Sequence, residues 1–229
     1  MVSHLGAMLS NVVGGTDSQR RFGRNGIGVA IFGDGASSRG EFHSAMNFAG
    51  IHKPPVVFIC ENNGWAISTP QSLQTASPTF AEKGDAYGIR NLRVDGNDPL
   101  AVYSVVREAR ALAPERGATL IEAITYRMGF HTSSDNPDLY RKPEEVEIWE
   151  PWDPLDRMRK YLERRKLWDG NKEEALWARC KSDISDAVNQ AETLDFPHPS
   201  SMFDDTFHEL TWMLEEQRAQ LLADLEEPT

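Results

Sequence analysis

The feature that most constrains this chain is a strand, helix, strand rhythm that occurs twice. From Gly26 to Phe32 the residues are apolar and β-branched (Ile27, Val29, Ile31, Phe32), which suits a strand buried on both faces, as in a parallel sheet. A Gly33-Asp34-Gly35 turn follows, and Phe42, Ala45, Met46 and Ala49 then recur at helical spacing. Pro54-Pro55 stops that helix before a second apolar run, Val56 to Cys60. In the second unit Leu92 to Val94 reads as a short strand. Gly96-Asn97-Asp98-Pro99 supplies turn, cap and first helical position for a helix whose core face is Val102, Val105, Val106, Ala109 and Leu112. Thr119 to Thr125 completes the sheet. Such alternation implies right-handed crossovers between parallel strands, with ligands bound beyond the carboxyl ends of the strands, where Asp34 and Asn63 both fall.

The expected class is therefore α/β: a mostly parallel sheet flanked by helices over residues 1–150, followed by a helical tail over 151–229 that packs on the same domain. Met128 to Asp138 is polar and turn-rich, and helices are expected at about Pro154 to Lys166, Lys172 to Glu192 and Asp205 to Asp224. The basic stretch Arg157 to Lys166 reads as a solvated helix face around Leu155, Met158 and Leu162 rather than a docking surface. With 24 basic and 35 acidic residues the net charge is -11, which argues against nucleic acid or an anionic membrane as partner. Cys60 and Cys180 show no paired or metal-binding spacing, as expected of a reduced intracellular protein. No apolar run approaches the roughly 18 residues that span a bilayer. The opening Met1 to Gly6 has neither a signal nor a transit pattern, and reads like the inside of a folded domain.

Taken alone, Gly-Asp-Gly after a strand is ordinary turn chemistry. Its partner changes that. In the sequence, 26 residues separate Gly35 from Asn62, and they hold one helix and one strand, enough to return the chain to the same sheet edge. A carboxylate from Asp34, the amide oxygen of Asn63 and a nearby main-chain carbonyl would form a hard oxygen set suited to Mg²⁺, with a diphosphate completing the shell. The flanking glycines would let the backbone approach phosphate, and the following helix N-terminus would offer free amides.

GDG, 26 residues, then NN resembles the thiamine-diphosphate motif. IFGDGASSRGEFHSAMNFA, FICENNGWAISTP, LRVDGNDPLAVY, IEAITYRMGFHTSSDNPDLYR and WDPLDRMRKYL resemble the alpha subunits of 2-oxo acid dehydrogenases. The resemblance implies that Asp34 and Asn63 ligate Mg²⁺, with the Trp65 carbonyl standing where the family usually has a tyrosine. It implies that Gly33, Gly35 and Ala36 line the diphosphate, that Ile67 lies beneath the cofactor, and that Ser3 and Leu5 belong to an upstream cofactor-facing segment. His131 matches the family's active-site histidine, preceded by Phe130 where some members have a second histidine. Arg127, Asp135, Tyr140 and Arg141 match the loop over the site. His4, His43, His52, His198 and His208 lack metal spacing and are read as structural or solvent-facing.

The implied activity is oxidative decarboxylation of a small 2-oxo acid with reductive acylation of a lipoyl group. The implied cofactors are thiamine diphosphate and Mg²⁺. The implied partners are a beta subunit, in a heterotetramer, and the lipoyl-bearing acyltransferase component, with neither nucleic acid nor membrane. GFHTSSDNPDLYR and NNGWAISTP lean toward the branched-chain enzymes, with pyruvate and acetoin as alternatives. Family members carry a further segment before the position of Ser3, and the glutamate that activates the aminopyrimidine ring comes from the beta subunit. A truncated, non-catalytic scaffold is the rival from another class, and an unrelated phosphate-binding α/β protein a more distant one. Thr132, Ser133 and Ser134 invite phosphorylation as a switch, set against simple hydrogen bonding within the loop. The compartment implied is the cytoplasm for a bacterial chain and the mitochondrial matrix for a eukaryotic one.

Overall fold

A computed structural model describes residues 4–205 and 207–226, so Ser3 lies outside the described residues. The chain divides into two compact units, Met1–Leu167 and Trp168–Thr229.

The first unit holds α1 (Ala7–Arg21), β1 (Gly28–Gly33), α2 (Gly40–His52), β2 (Val56–Asn62), β3 (Trp65–Ala66), β4 (Thr69–Pro70) and α3 (Gln71–Gln74). It continues with β5 (Arg90–Asp95), α4 (Pro99–Arg116), β6 (Thr119–Ile124), α5 (Pro143–Trp149) and α6 (Pro154–Arg164). Four strands form one sheet in the order β1-β2-β6-β5, and every neighbouring pair is parallel. β3 and β4 make a separate two-residue antiparallel ladder. The sequence pattern explains the crossovers: Asp98 caps α4 by accepting from the Leu100 and Ala101 amides, and Pro99 occupies the first helical position, where no amide is needed.

Two apolar cores sandwich the sheet. On one face Leu9, Val13, Phe42, Met46 and Phe80 pack against Ala30, Phe32, Val56, Phe58 and Leu120. On the other, Ala109 with the partly buried Val102, Val105 and Val106 covers Val57, Ile121, Val94 and Ala123. Each large side chain taken fully out of water there contributes about 1.5–3 kcal/mol.

β1 departs from expectation. It was expected to be buried on both faces, but only Ala30 and Phe32 are buried, while Val29 and Ile31 are 51% and 62% exposed. The reason is position: β1 is an edge strand, and α4 packs on β2, β5 and β6. A second difference follows Gly33. The chain does not pass straight into α2 but makes a 3₁₀ turn over Asp34–Ser38, so the amides nearest Asp34 belong to that turn and α2 begins only at Gly40.

The second unit contains α7 (Gly170–Glu192), α8 (Ser201–Asp204) and α9 (Trp212–Glu226). The helix expected from Asp205 to Asp224 therefore starts later, at Trp212, with Phe207 to Thr211 outside it. Thr211 sits directly before Trp212, where a β-branched hydroxyl residue favours a helix start over a helix interior. No described helix is long and apolar enough to cross a membrane.

Candidate functional site

Strand register builds the site. Parallel pairing aligns Gly33 with Glu61 and Asn62 with Ile124, so Asp34, Asn63 and Thr125 leave the sheet together at its carboxyl edge. Asp34 is 1% exposed. Burial pushes its carboxyl above the usual carboxylate range. A hydrogen bond from Gln74, the backbone amides of Asp34 and Asn63, and the positive charge of Arg127 pull the other way. The Gln74 bond is short, Nε2 donating to Oδ2 at 2.6 Å, and leaves Gln74 Oε1 buried without a partner. Ser37 Oγ and Arg127 Nε are likewise buried and unpartnered, which concentrates unsatisfied polar atoms in residues of this edge.

The two glycines around Asp34 do different things. A Cβ on Gly35 would come within 2.7 Å of Ala66 Cβ, so Gly35 is required by the protein's own β3–β4 turn. A Cβ on Gly33 would meet nothing within 4 Å. Open space beside a buried carboxylate is what a bound anion and its counter-cation need.

Opposite Asp34, the turn after β2 is held by side-chain oxygens: Asn62 Oδ1 accepts from the Gly64 amide at 3.2 Å and Asn63 Oδ1 from the Trp65 amide at 3.1 Å. Gly64 has φ +82°, which its lack of a Cβ permits. Ile67 has φ +54° and is exposed. A β-branched residue in the left-handed region costs on the order of 1–3 kcal/mol, and such strain concentrates at functional sites. A cleft of about 360 Å³ borders this turn at Gly64 and Trp65, with Gln71, Tyr126 and Trp149 on its walls.

Among the described residues no group of three or more His, Cys, Asp or Glu is placed to hold a metal. A cation at this edge would draw on one carboxylate with amide and main-chain oxygens, a donor set that fits a hard ion. The Trp65 carbonyl accepts from Arg127 Nη1 at 3.2 Å, so any cation it served would share it with a guanidinium.

Two arginines organise the segment from Arg127 to Arg141. Arg127 Nη2 donates to the Ile67 carbonyl and to the Tyr140 hydroxyl, each at 2.7 Å. Tyr140 in turn donates to Asp135 Oδ2 at 2.7 Å, and its ring lies 5.3 Å from that of Trp65. Arg141, buried, donates to the carbonyls of Arg127, Met128 and Gly129. Asp135 also accepts from the His131 amide at 2.7 Å, and that bond, with the one from Tyr140, holds its carboxyl below the usual range. His131 thus joins the network through its main chain, with its side chain on an exposed residue.

Of the residues singled out from sequence, Asp34, Asn63, Trp65, Ile67 and Arg127 are joined by this network, and Tyr140, Asp135 and Arg141 extend it. Leu5 is exposed, and its neighbours His4 and Gly6 lie against Arg39 and Glu41 at the entry to α2. Gln74 was not foreseen. It is 40 residues from Asp34 and carries no local pattern, so only the fold brings it to the carboxylate. Three other histidines have ordinary neighbours: His43 Nδ1 lies 2.6 Å from the Tyr87 hydroxyl, the His52 ring lies tilted against Phe48 with centroids 4.1 Å apart, and His198 Nδ1 lies 2.8 Å from Ser200 Oγ.

The sequence profile described as Dehydrogenase E1 component matches residues 2–200. The 3-methyl-2-oxobutanoate dehydrogenase subunit alpha of Mycobacterium tuberculosis is 44% identical over 225 residues, 96% of this chain and 60% of the relative. The mitochondrial 2-oxoisovalerate dehydrogenase subunit alpha of Mus musculus is 39% identical over 226 residues, 98% of this chain and 51% of the relative. The pyruvate dehydrogenase E1 component subunit alpha of Staphylococcus aureus is 41% identical over 216 residues, 93% of this chain and 58% of the relative. The chain spans between half and three-fifths of the length of these relatives.

Proposed function

The chain belongs to the dehydrogenase E1 component family, and on that premise we propose that it is the cofactor-holding part of the alpha subunit of a thiamine-diphosphate-dependent 2-oxo acid dehydrogenase. One observation carries the reading. Asp34 is a buried carboxylate with a raised pKa, at the carboxyl edge of a parallel sheet, held by the Asn63 amide of the turn after β2, and a Cβ on the preceding Gly33 would meet nothing within 4 Å. A charge so placed is stabilised by a cation, and a diphosphate brings one.

In this reading Asp34, Asn63 and the Trp65 carbonyl hold Mg²⁺, and the amides of Gly35 and Ala36 in the 3₁₀ turn receive diphosphate oxygens. Thiamine diphosphate, when bound, supplies the electron sink for decarboxylation. Ile67, strained and exposed, presents an apolar side chain to the cofactor. His131, beyond a strand end, orients the reacting group and moves a proton toward the lipoyl sulfur, since an imidazole can accept a proton at one ring nitrogen and donate from the other. Arg127, Asp135, Tyr140 and Arg141 shape the mouth that faces the lipoyl arm.

The substrate proposed is a branched-chain 2-oxo acid, supported by the names of the mycobacterial and mouse relatives. The staphylococcal relative makes pyruvate the second candidate. The partners proposed are a beta subunit in a heterotetramer and the lipoyl-bearing acyltransferase component. The compartment is the bacterial cytoplasm or, in a eukaryote, the mitochondrial matrix.

Calorimetric titration with Mg²⁺ and thiamine diphosphate, with and without a cognate beta subunit, tests the cofactor. Binding in the complex is expected, and no binding in either case would sink the enzyme in favour of a scaffold. Assays on branched-chain 2-oxo acids, pyruvate and acetoin in the reconstituted complex decide the substrate. Acyl transfer unchanged by His131→Ala would remove His131 from the chemistry.

A further inference from the structure

Glu122 is a carboxylate in the middle of the sheet, on β6, with 0% of its surface exposed. It faces three donors. Oε1 accepts from Asn62 Nδ2 at 2.8 Å; Oε2 accepts from the Ala81 amide at 3.0 Å and lies 3.3 Å from Arg93 Nε. Register explains the meeting. Glu122 is level with Cys60 on β2 and Arg93 on β5, and Asn62, two residues beyond Cys60, points to the same face of the sheet.

The consequence lies in the Asn62 amide. A buried carboxylate accepts and cannot donate, so it obliges Asn62 to turn its NH₂ inward. The second hydrogen of that NH₂ goes to Gln71 Oε1 at 3.1 Å, and the amide oxygen is left pointing at the Gly64 amide, 3.2 Å away. Every polar atom of the Asn62 side chain is then committed, and Gly64 is held at φ +82°. Asn63 and Trp65 follow within that same short turn, and their oxygens are the ones proposed to meet the cation. The first asparagine of the pair thus serves the second.

We propose that Glu122 is a positioning residue for the Asn62–Trp65 turn: through Asn62 it sets the turn's polarity and presents the Asn63 side chain and the Trp65 carbonyl to the ligand. The ligand half of this statement rests on the cofactor reading above. The positioning half concerns the free protein and can be tested separately.

Glu122→Gln is the direct variant. A carboxamide has one oxygen where two are used, so its NH₂ must face either Asn62 or the Ala81 amide, donor against donor. The double variant Asn62→Asp/Glu122→Gln reverses the polarity of the pair, letting residue 122 donate to residue 62 while its oxygen still serves Ala81 and Arg93. The carboxylate at 62 continues to accept from Gly64. Arg93→Met removes only the ion-pair arm.

Hydrogen exchange of the ligand-free protein is measured over residues 63–66, with Val57 to Cys60 of β2 as internal reference. Mg²⁺-dependent binding of thiamine diphosphate is measured by calorimetry in the complex with a beta subunit. Glu122→Gln is expected to lower protection of the Gly64 and Trp65 amides at least about tenfold relative to β2. It is also expected to weaken cofactor binding by about 10–100-fold, the range for outer partners of a metal site. The double variant is expected to restore both readouts, and Arg93→Met to leave both near wild type.

Unchanged protection in Glu122→Gln overturns the proposal, and so does a double variant that stays as loose as the single. Should Glu122→Gln fail to fold, the double variant must fold with a protected turn or the proposal fails. If the wild-type complex binds no cofactor, the reading of the ligand falls, while the exchange data still decide what Glu122 does.

Discussion

The turn after β2 and the segment from Arg127 to Arg141 meet at one place but are held by opposite means. The turn is an extension of the sheet: parallel register brings Asn62 and Asn63 beside Asp34, and the side-chain amides of the two asparagines fix Gly64 and Trp65. The loop has no register to inherit. Two guanidinium groups hold it, Arg141 on three consecutive carbonyls and Arg127 on Trp65, Ile67 and Tyr140. A site that must hold a charge in place draws on strands, because their geometry is fixed by many cooperative hydrogen bonds. A site that must meet different molecules in turn is better served by a loop pinned at a few strong points.

The comparison breaks first at Asp34. Asp34→Asn is expected to reduce Mg²⁺-dependent cofactor binding by more than the roughly 10–100-fold typical of an outer partner, while the protein still folds. The sign of the pH effect follows from burial. A carboxyl raised on folding costs stability progressively as pH rises from the usual carboxylate range through its folded value. The variant lacks that loss, so thermal melts of the cofactor-free proteins at several pH values should separate most at neutral pH. A wild type that gains stability over the same interval would contradict the burial argument.

Next in size is Arg141→Lys. The three donors of one ammonium diverge from a single nitrogen and cannot reproduce the planar fork that reaches three consecutive carbonyls, and hydrogen bonds from a charged donor contribute about 1.5–3 kcal/mol each. A loss of about 2–3 kcal/mol in urea unfolding is expected, with faster amide exchange over 128–135 and no change over 62–66. Loosening of both segments together would mean that they are one cooperative unit and not two.

Ile67→Gly should act in the reverse direction. Relief of the left-handed φ is expected to stabilise the cofactor-free protein by up to about 1 kcal/mol, and removal of the apolar side chain to weaken cofactor binding. Stabilisation with unchanged binding would leave the strain without a purpose. The smallest effect expected is at Asp135, whose carboxyl is held low by the His131 amide and the Tyr140 hydroxyl. Its contribution is complete above the usual carboxylate range and is lost as pH falls through the lowered value. Exchange at His131 should therefore quicken only at acid pH, and Asp135→Asn should remove that dependence.

Much of this was legible in the linear chain because the signals are local. The helix faces Phe42-Ala45-Met46-Ala49 and Val102-Val105-Val106-Ala109, the Asp98-Pro99 cap, and the spacing from GDG to NN each depend on residues a few positions apart or on one crossover. The misreading of β1 has the same origin. Ile27, Val29, Ile31 and Phe32 say that a strand is apolar, but whether a second face is covered depends on which elements arrive later. The helix expected from Asp205 to Asp224 starts late for a related reason, since Thr211 reads as a tolerable interior residue until a helix starts beyond it.

By itself, then, the sequence determined the two strand, helix, strand units, the parallel order at the GDG and NN strands, and the residue types able to hold a cation and a diphosphate, because these follow from short-range periodicity and from the chemistry of single side chains. Only the tertiary structure decided that Gly33 faces open space while Gly35 is taken up by Ala66, that Gln74 lies on Asp34, that Arg127 shares the Trp65 carbonyl, and that Glu122 turns the Asn62 amide. Those contacts join residues 31 to 62 positions apart. Their geometry exists only once the strands are paired and water has been excluded from between them, which is when an unmatched donor or acceptor begins to carry a cost.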